Sequence, residues 1–183
     1  VRGTDEVLLR RVARGEADAL TALYRRHAEG LFGFLQRLAG DRMLAEEILQ
    51  DTLLAVWRGA ERFEGRAQVR TWLYGIARRQ AHNRLRSVRP AETALDDVPD
   101  VAEPAAGPEE LALVRLDRDQ VLAAVARLGL RHREVVVLAF VAELSQAEIA
   151  DVVGVPVGTV KSRLHHARAA LVHALAELEG TQR

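Results

Sequence analysis

Apolar residues recur three and four positions apart along most of this chain, and the places where the period fails mark its joints. Thr4 or Asp5 suits the cap of a first helix that runs to about Arg14, where Gly15 breaks the pattern. A long helix follows from about Ala17 towards Leu38, and Asp41 is a good cap for a third, reaching Arg58. On that third helix Ala45, Ile48, Leu49, Thr52, Leu53, Val56 and Trp57 repeat at helical spacing and form the expected inner face. Glu46, Glu47, Gln50, Asp51 and Leu54 face elsewhere. A polar turn from Glu64 to Arg70 holds Gly65, and a fourth helix is expected from about Thr71 to Arg86. Its buried side is read as Trp72, Leu73, Ile76, Ala77, Ala81 and Leu85.

Between Pro90 and Glu110 the period disappears. Pro90, Pro99, Pro104, Pro108 and Gly107 fall there, so the segment reads as a linker. Helical spacing then resumes near Leu111 to Arg127, Arg131 to Ala142, Ser145 to Val153 and Val157 to Glu179. Ser145-Gln146-Ala147-Glu148 is a capping box, with the serine and glutamate each able to satisfy an end amide near the other. Gly154 ends the short helix and a longer one begins after Val155-Pro156, which makes a helix-turn-helix. The expected fold class is all-α: two small helical domains, residues 1–89 and 111–183, joined by a flexible acidic linker over residues 90–110.

Charge sharpens this division. The 26 basic and 26 acidic side chains of the 183 residues cancel, yet residues 1–89 carry 17 arginines against 11 acids. Residues 90–110 carry 7 acids and no base, and residues 111–183 carry 9 bases and 8 acids. The first module is therefore the one expected to meet an anion. No cysteine is present, which removes disulfide scaffolds, thiol nucleophiles and Cys-type zinc sites. No apolar run approaches the length of a membrane span, and the N-terminal residues read as mature protein, so a cytoplasmic location without direct membrane insertion is expected.

Two basic surfaces follow from the spacing. With Val160 and Leu164 turned inward, Ser162, His165, His166 and Ala169 point most directly outward, and Lys161, Arg163 and Arg168 lie on the flanks. Short polar or aromatic readers between cations suit a helix in a major groove. On the fourth helix Arg78, Arg79, His82, Asn83 and Arg86 form a stripe, with Phe63, Trp72 and Tyr74 close in sequence. Cations with aromatic faces suit a single strand, and a solvated surface accounts for the stripe equally well. The acidic face of the third helix fits either a basic partner or solvent. There is no Gly-rich phosphate loop, H-E-x-x-H or recognisable nucleophile signature, and His165, His166 and His173 lack a completing carboxylate. No enzyme, metal or cofactor is expected.

Three stretches, Ala45 to Trp57, Arg70 to Arg78 and Gly154 to Leu164, resemble the extracytoplasmic-function (ECF) sigma factors, the small two-domain members of the bacterial sigma-70 family. The resemblance runs from Asp5 to Leu178 and implies a sigma-2 domain followed by a sigma-4 domain. It implies that Glu46, Glu47, Gln50 and Asp51 dock on the β′ clamp helices of core RNA polymerase. It assigns Phe63, Arg66, Arg70, Trp72, Arg79, His82, Asn83 and Arg86 to the minus 10 element, with a base flipped from the opened non-template strand. Thr159, Lys161, Ser162, Arg163, His165, His166 and Arg168 would read minus 35 promoter DNA as duplex, and the sigma-4 domain would touch the β flap. The family's usual controller is an anti-sigma factor, commonly membrane-linked or zinc-binding. His166, beside His165, stands where many relatives carry arginine, and imidazole does not reproduce the two-pronged guanidinium contact to guanine. The alternative function is a helix-turn-helix regulator that binds an operator without polymerase.

Overall fold

The computed structural model describes residues 4–90 and 118–181. The linker expected over residues 90–110, apart from Pro90, and the expected helix start at Leu111 lie outside them. Eight α-helices account for the fold among the described residues: α1 (Asp5–Ala13), α2 (Ala17–Ala39), α3 (Arg42–Gly59) and α4 (Val69–Val88), then α5 (Arg118–Arg127), α6 (Leu130–Phe140), α7 (Gln146–Val153) and α8 (Val157–Thr181). A short 3₁₀ turn, Ala60–Arg62, follows α3. The starts are set by local chemistry: Thr4 caps α1, Asp41 accepts from the Leu44 amide at 2.7 Å, and Ser145 and Glu148 form the expected capping box at α7.

In the first module α2 packs against α1, α3 and α4 around Phe34, Leu35, Leu38, Ile48 and Ala77, all fully buried. Tyr74 joins this core, its ring edge-on to Phe34 at 5.6 Å. Gly30 is what admits it, since a Cβ there would stand 2.8 Å from the tyrosine hydroxyl oxygen. In the second module α8 lies against α5, α6 and α7 around Leu138, Ile149, Val160 and Ala167. Gly154 ends α7 in the left-handed region at φ 74°, the conformation the turn of the helix-turn-helix requires.

Several expectations shift. Trp57 sits on the outer side of α3, 37% exposed, because its neighbours at Ile48, Thr52 and Val56 already fill the seam with α2. Leu53 and Trp72 are only half-buried. Helix α4 begins at Val69, two residues earlier than its polar flank suggests, and Val69 anchors it in the core at 1% exposed.

The two modules pack together. Helix α6 lies against α2, and α7 against α4. Arg133, buried on α6, donates to the carbonyls of Ala126 and Leu128 in its own module and to that of Leu38 at 3.1 Å in the other. The Leu38 carbonyl belongs to the last turn of α2, where the helix dipole favours a cation.

Candidate nucleic-acid interface

The seam between the modules crosses the face of α4 that carries the arginine and histidine stripe. Glu134 of α6 is fully buried, and its Oε1 accepts from Arg78 Nε at 2.6 Å and His82 Nε2 at 2.9 Å. Burial alone would raise its pKa; the hydrogen bond from His82 and the charge of Arg78 outweigh it and hold the carboxyl below its ordinary value. Its other oxygen, Oε2, is buried without a hydrogen-bond partner. Arg70 donates to the carbonyl of Ala142, next to Glu143, a non-glycine residue at φ 50°. Thr71 reaches Glu148 of the capping box at 3.4 Å.

The expected minus 10 set is therefore divided. Arg79, Asn83 and Arg86, spaced four and three apart, are exposed along one edge of α4. Arg70 and His82 face the second module. Phe63 is half-buried with its ring 5.3 Å from Trp72, edge to face, and Arg66 is exposed and pairs with Glu64 at 2.5 Å. Tyr74, read as a neighbouring aromatic for a strand, is core instead; burial raises its phenol pKa against the opposing Arg70 charge. Between α3, α4 and α7 lies a cleft of about 1010 Å³, lined among others by Arg58, Arg62, Trp72, Arg79 and Asp151.

Helix α8 presents its set differently. Val160, Leu164 and Ala167 turn inward, so Lys161, His165 and Arg168 stand exposed on one outer face. Thr159, Ser162, Arg163 and His166 are half-buried. His166 is drawn into a ring cluster, 5.8 Å from His165 and 6.3 Å from His132 of α6, each pair edge to face. The outward centre of the helix is thus carried by His165 more than by His166. Among the described residues no group of three potential ligands is placed to hold a metal ion.

On α3, Glu46 and Glu47 are exposed with Gln50, and Asp51 is half-buried. Glu46 pairs with Arg42 at 3.0 Å, while Arg84 of α4 lies 3.3 Å from both Glu47 and Asp51. Met43, Leu54 and Trp57 are exposed on the same helix. Met43, Glu47, Gln50, Leu54 and Trp57 follow a three-four spacing, so one outward stripe mixes acid with apolar surface. Met43, Trp57 and Arg84 were outside the sequence reading of this face. The same three-four rule, applied from Met43, would have found the first two.

Comparison with known proteins agrees with this architecture. Residues 23–90 match Sigma-70 region 2, and residues 118–171 match Sigma-70, region 4. The ECF RNA polymerase sigma factor SigL of Mycobacterium tuberculosis is 35% identical over 171 residues, spanning 93% of this chain and 96% of that protein. The structure of CnrH in complex with the cytosolic domain of CnrY superposes with a TM-score of 0.71 at 25% identity, over 94% of this chain and 97% of that one. That of the sigma factor RpoE with the anti-sigma factor NepR from Bartonella quintana gives 0.63 at 25% identity, over 84% and 96%. Two helical modules in this order, the second carrying a helix-turn-helix, match that family, and the chain belongs to the ECF sigma factors, non-enzymatic subunits that bind core RNA polymerase and direct initiation at specific promoters.

Proposed function

We propose that this sigma factor docks on core polymerase through the acidic and apolar face of α3 and reads its promoter at two places. Glu46, Glu47, Gln50 and Asp51 meet the β′ clamp helices. Phe63, Arg66, Arg70, Trp72, Arg79, His82, Asn83 and Arg86 hold the opened minus 10 strand. Thr159, Lys161, Ser162, Arg163, His165, His166 and Arg168 engage the minus 35 duplex, and the second module also touches the β flap. The observation that carries this reading is the exposed row of Lys161, His165 and Arg168 on the second helix of a helix-turn-helix whose inner face is fully packed.

The division of labour falls at residues 90–110, with residues 1–89 and 111–183 as the two working modules. An anti-sigma factor controls access, as NepR and CnrY occupy the sigma factors in the related structures. Among the described residues no helix is long and apolar enough to cross a membrane. The protein acts in the cytoplasm, held at the membrane when its controller is membrane-linked.

The test is transcription by core polymerase on fragmented genomic DNA, with and without this protein, with sequencing of the RNA 5′ ends. New start sites sharing two upstream motifs support the reading. Firm binding to duplex DNA without polymerase, and no new starts, would replace it with a regulator that acts alone.

A further inference from the structure

We propose that His132 of α6 is a positioning residue for promoter reading: it holds the ring of His166 on α8 so that one minus 35 base is read at its purine N7, with adenine and guanine both accepted. This rests on the assignment of α8 to the minus 35 duplex. Two polar rows run along that helix. Lys161, His165 and Arg168 form an exposed row, while Thr159, Ser162 and His166 lie half-buried on the neighbouring shoulder. Cations on long stems suit phosphates, whereas short hydroxyls and one flat ring suit base edges. His132 reaches the second row at His166.

The support behind His166 is rigid. His132 stands in the first turn of α6, its amide donating to the Gly129 carbonyl at 3.1 Å. The next residue, Arg133, is buried and donates to the carbonyls of Ala126, Leu128 and Leu38, so the backbone on this side of the ring is pinned. The His132 and His166 rings meet edge to face at 6.3 Å and 83°, and His165 meets His166 at 5.8 Å and 64°. Such pairs favour a particular angle between the rings. With a ring from another helix on one side and its chain neighbour on the other, His166 has its plane set before DNA arrives.

The chemical consequence is a coarser reading than a guanidinium gives. Arginine donates to guanine N7 and O6 together. The two nitrogens of an imidazole diverge, so only one meets a given base. A ring held in one plane and donating from one nitrogen finds N7, the acceptor that both purines present in the major groove, and has no second donor with which to demand O6. A pyrimidine puts no acceptor at that place.

The experiment uses the full chain with core polymerase and a barcoded promoter library randomised across the minus 35 element, scored by sequencing the transcripts. The base read by His166 is the one whose preference changes in His166→Arg, which should gain selectivity there for guanine over adenine of at least about fivefold. His132→Ala should cut the native purine preference at that same position at least about threefold and leave the other positions within about twofold. His132→Phe keeps a ring against His166 and should retain the native preference. In the His166→Arg background His132→Ala should change nothing at that position, because a planar fork orients itself on guanine. Thermal melting establishes that each variant is folded. The proposal is overturned if His166→Arg alters no position, if His132→Ala keeps the native preference or weakens every sequence alike, or if His132→Phe behaves as His132→Ala does. A native holoenzyme with no preference anywhere in the minus 35 element would mean that the assignment of α8 itself has failed; a clear preference that ignores both histidines sinks only their pairing.

Discussion

Helices α4 and α8 each carry a polar stripe of arginine and histidine, yet they meet their surroundings in opposite ways. On α8 Lys161, His165 and Arg168 stand open to solvent, and the helix that supports them, α7, is tied to it by a turn of three residues. On α4 two of the five stripe residues, Arg78 and His82, lie beneath the second module on Glu134, and Arg70 and Thr71 in the first turn reach Ala142 and Glu148, partners 52 to 77 residues away in sequence. A face assembled from neighbours in the chain is complete whenever its own module is folded. A face whose partners come from another module depends on how the two modules pack.

The largest effect should come from breaking the local assembly. Ile149 is fully buried between α7 and α8, and Ile149→Ala removes packing that nothing nearby replaces. A loss of about 2–4 kcal/mol in the stability of the second module is expected, measured by denaturant unfolding, with polymerase-dependent recognition of the minus 35 element lost alongside. If minus 35 recognition survives undiminished, the readiness of α8 does not depend on the packing of its scaffold.

Acid should act next, and on the α4 face. Glu134 titrates below its ordinary value in the closed form, so an opened chain takes up its proton at a higher pH than a closed one. The stabilisation it gives the seam is full above the ordinary carboxylate value and disappears as pH falls through the lowered one, a window below about pH 4. Scattering across that range should show the modules separating, and Glu134→Gln should show no such transition. Asp5, Asp18 and Glu148 are also held low by their partners, so the difference between the two proteins, not the native curve alone, isolates the Glu134 contact.

These two faces also explain what was legible in the sequence. The helix-turn-helix could be read because every signal in it is local: the Ser145 and Glu148 box, the left-handed Gly154, and the inward period of Val160 and Leu164. The α4 stripe could be read as a stripe, but not as half covered, since nothing within the helix distinguishes Arg78 from Arg79. Glu134 was hidden for the same reason. It closes the polar stretch Arg131-His132-Arg133-Glu134, which reads as a solvated face, and a buried charge announces itself only through its distant partners. Trp57 and Tyr74 exchanged their expected places because burial of a large ring depends on which neighbour leaves room. Gly30 makes that room for Tyr74, and Ile48, Thr52 and Val56 leave none for Trp57.

A smaller change sharpens the contrast between local and distant contacts. Ser145→Ala removes the hydroxyl that accepts from the Glu148 amide at 3.3 Å and donates to its carboxylate at 2.7 Å. The cost should be about 1 kcal/mol in the stability of the second module. Glu148 would rise towards its ordinary pKa, because the Ser145 hydrogen bond is the main cause of its lowering. The Arg78 and His82 contacts do not pass through this cap, so scattering should show the seam still closed.

The smallest effect on stability, and the one with the most functional content, belongs to α3. Arg42 and Glu46 pair at 3.0 Å with both side chains largely in water, and Glu47 and Asp51 share Arg84 at 3.3 Å. Exposed pairs of this kind contribute about 0–1 kcal/mol after screening, so their charges are not retained for the fold. Replacing Glu46, Glu47 and Asp51 together with Gln, Gln and Asn should shift thermal unfolding only slightly. Affinity for core polymerase, read by competition with a labelled native chain, should fall at least about tenfold, because complementary charge at the edge of an interface acts on partner and not on fold. A triple variant that melts like the native chain and competes equally well would show that these acids only solvate α3, leaving Met43, Leu54 and Trp57 as the docking surface. The ratio of the two effects is the informative quantity: buried Glu134 works between modules, whereas the acids of α3 point outward and are free to work between molecules.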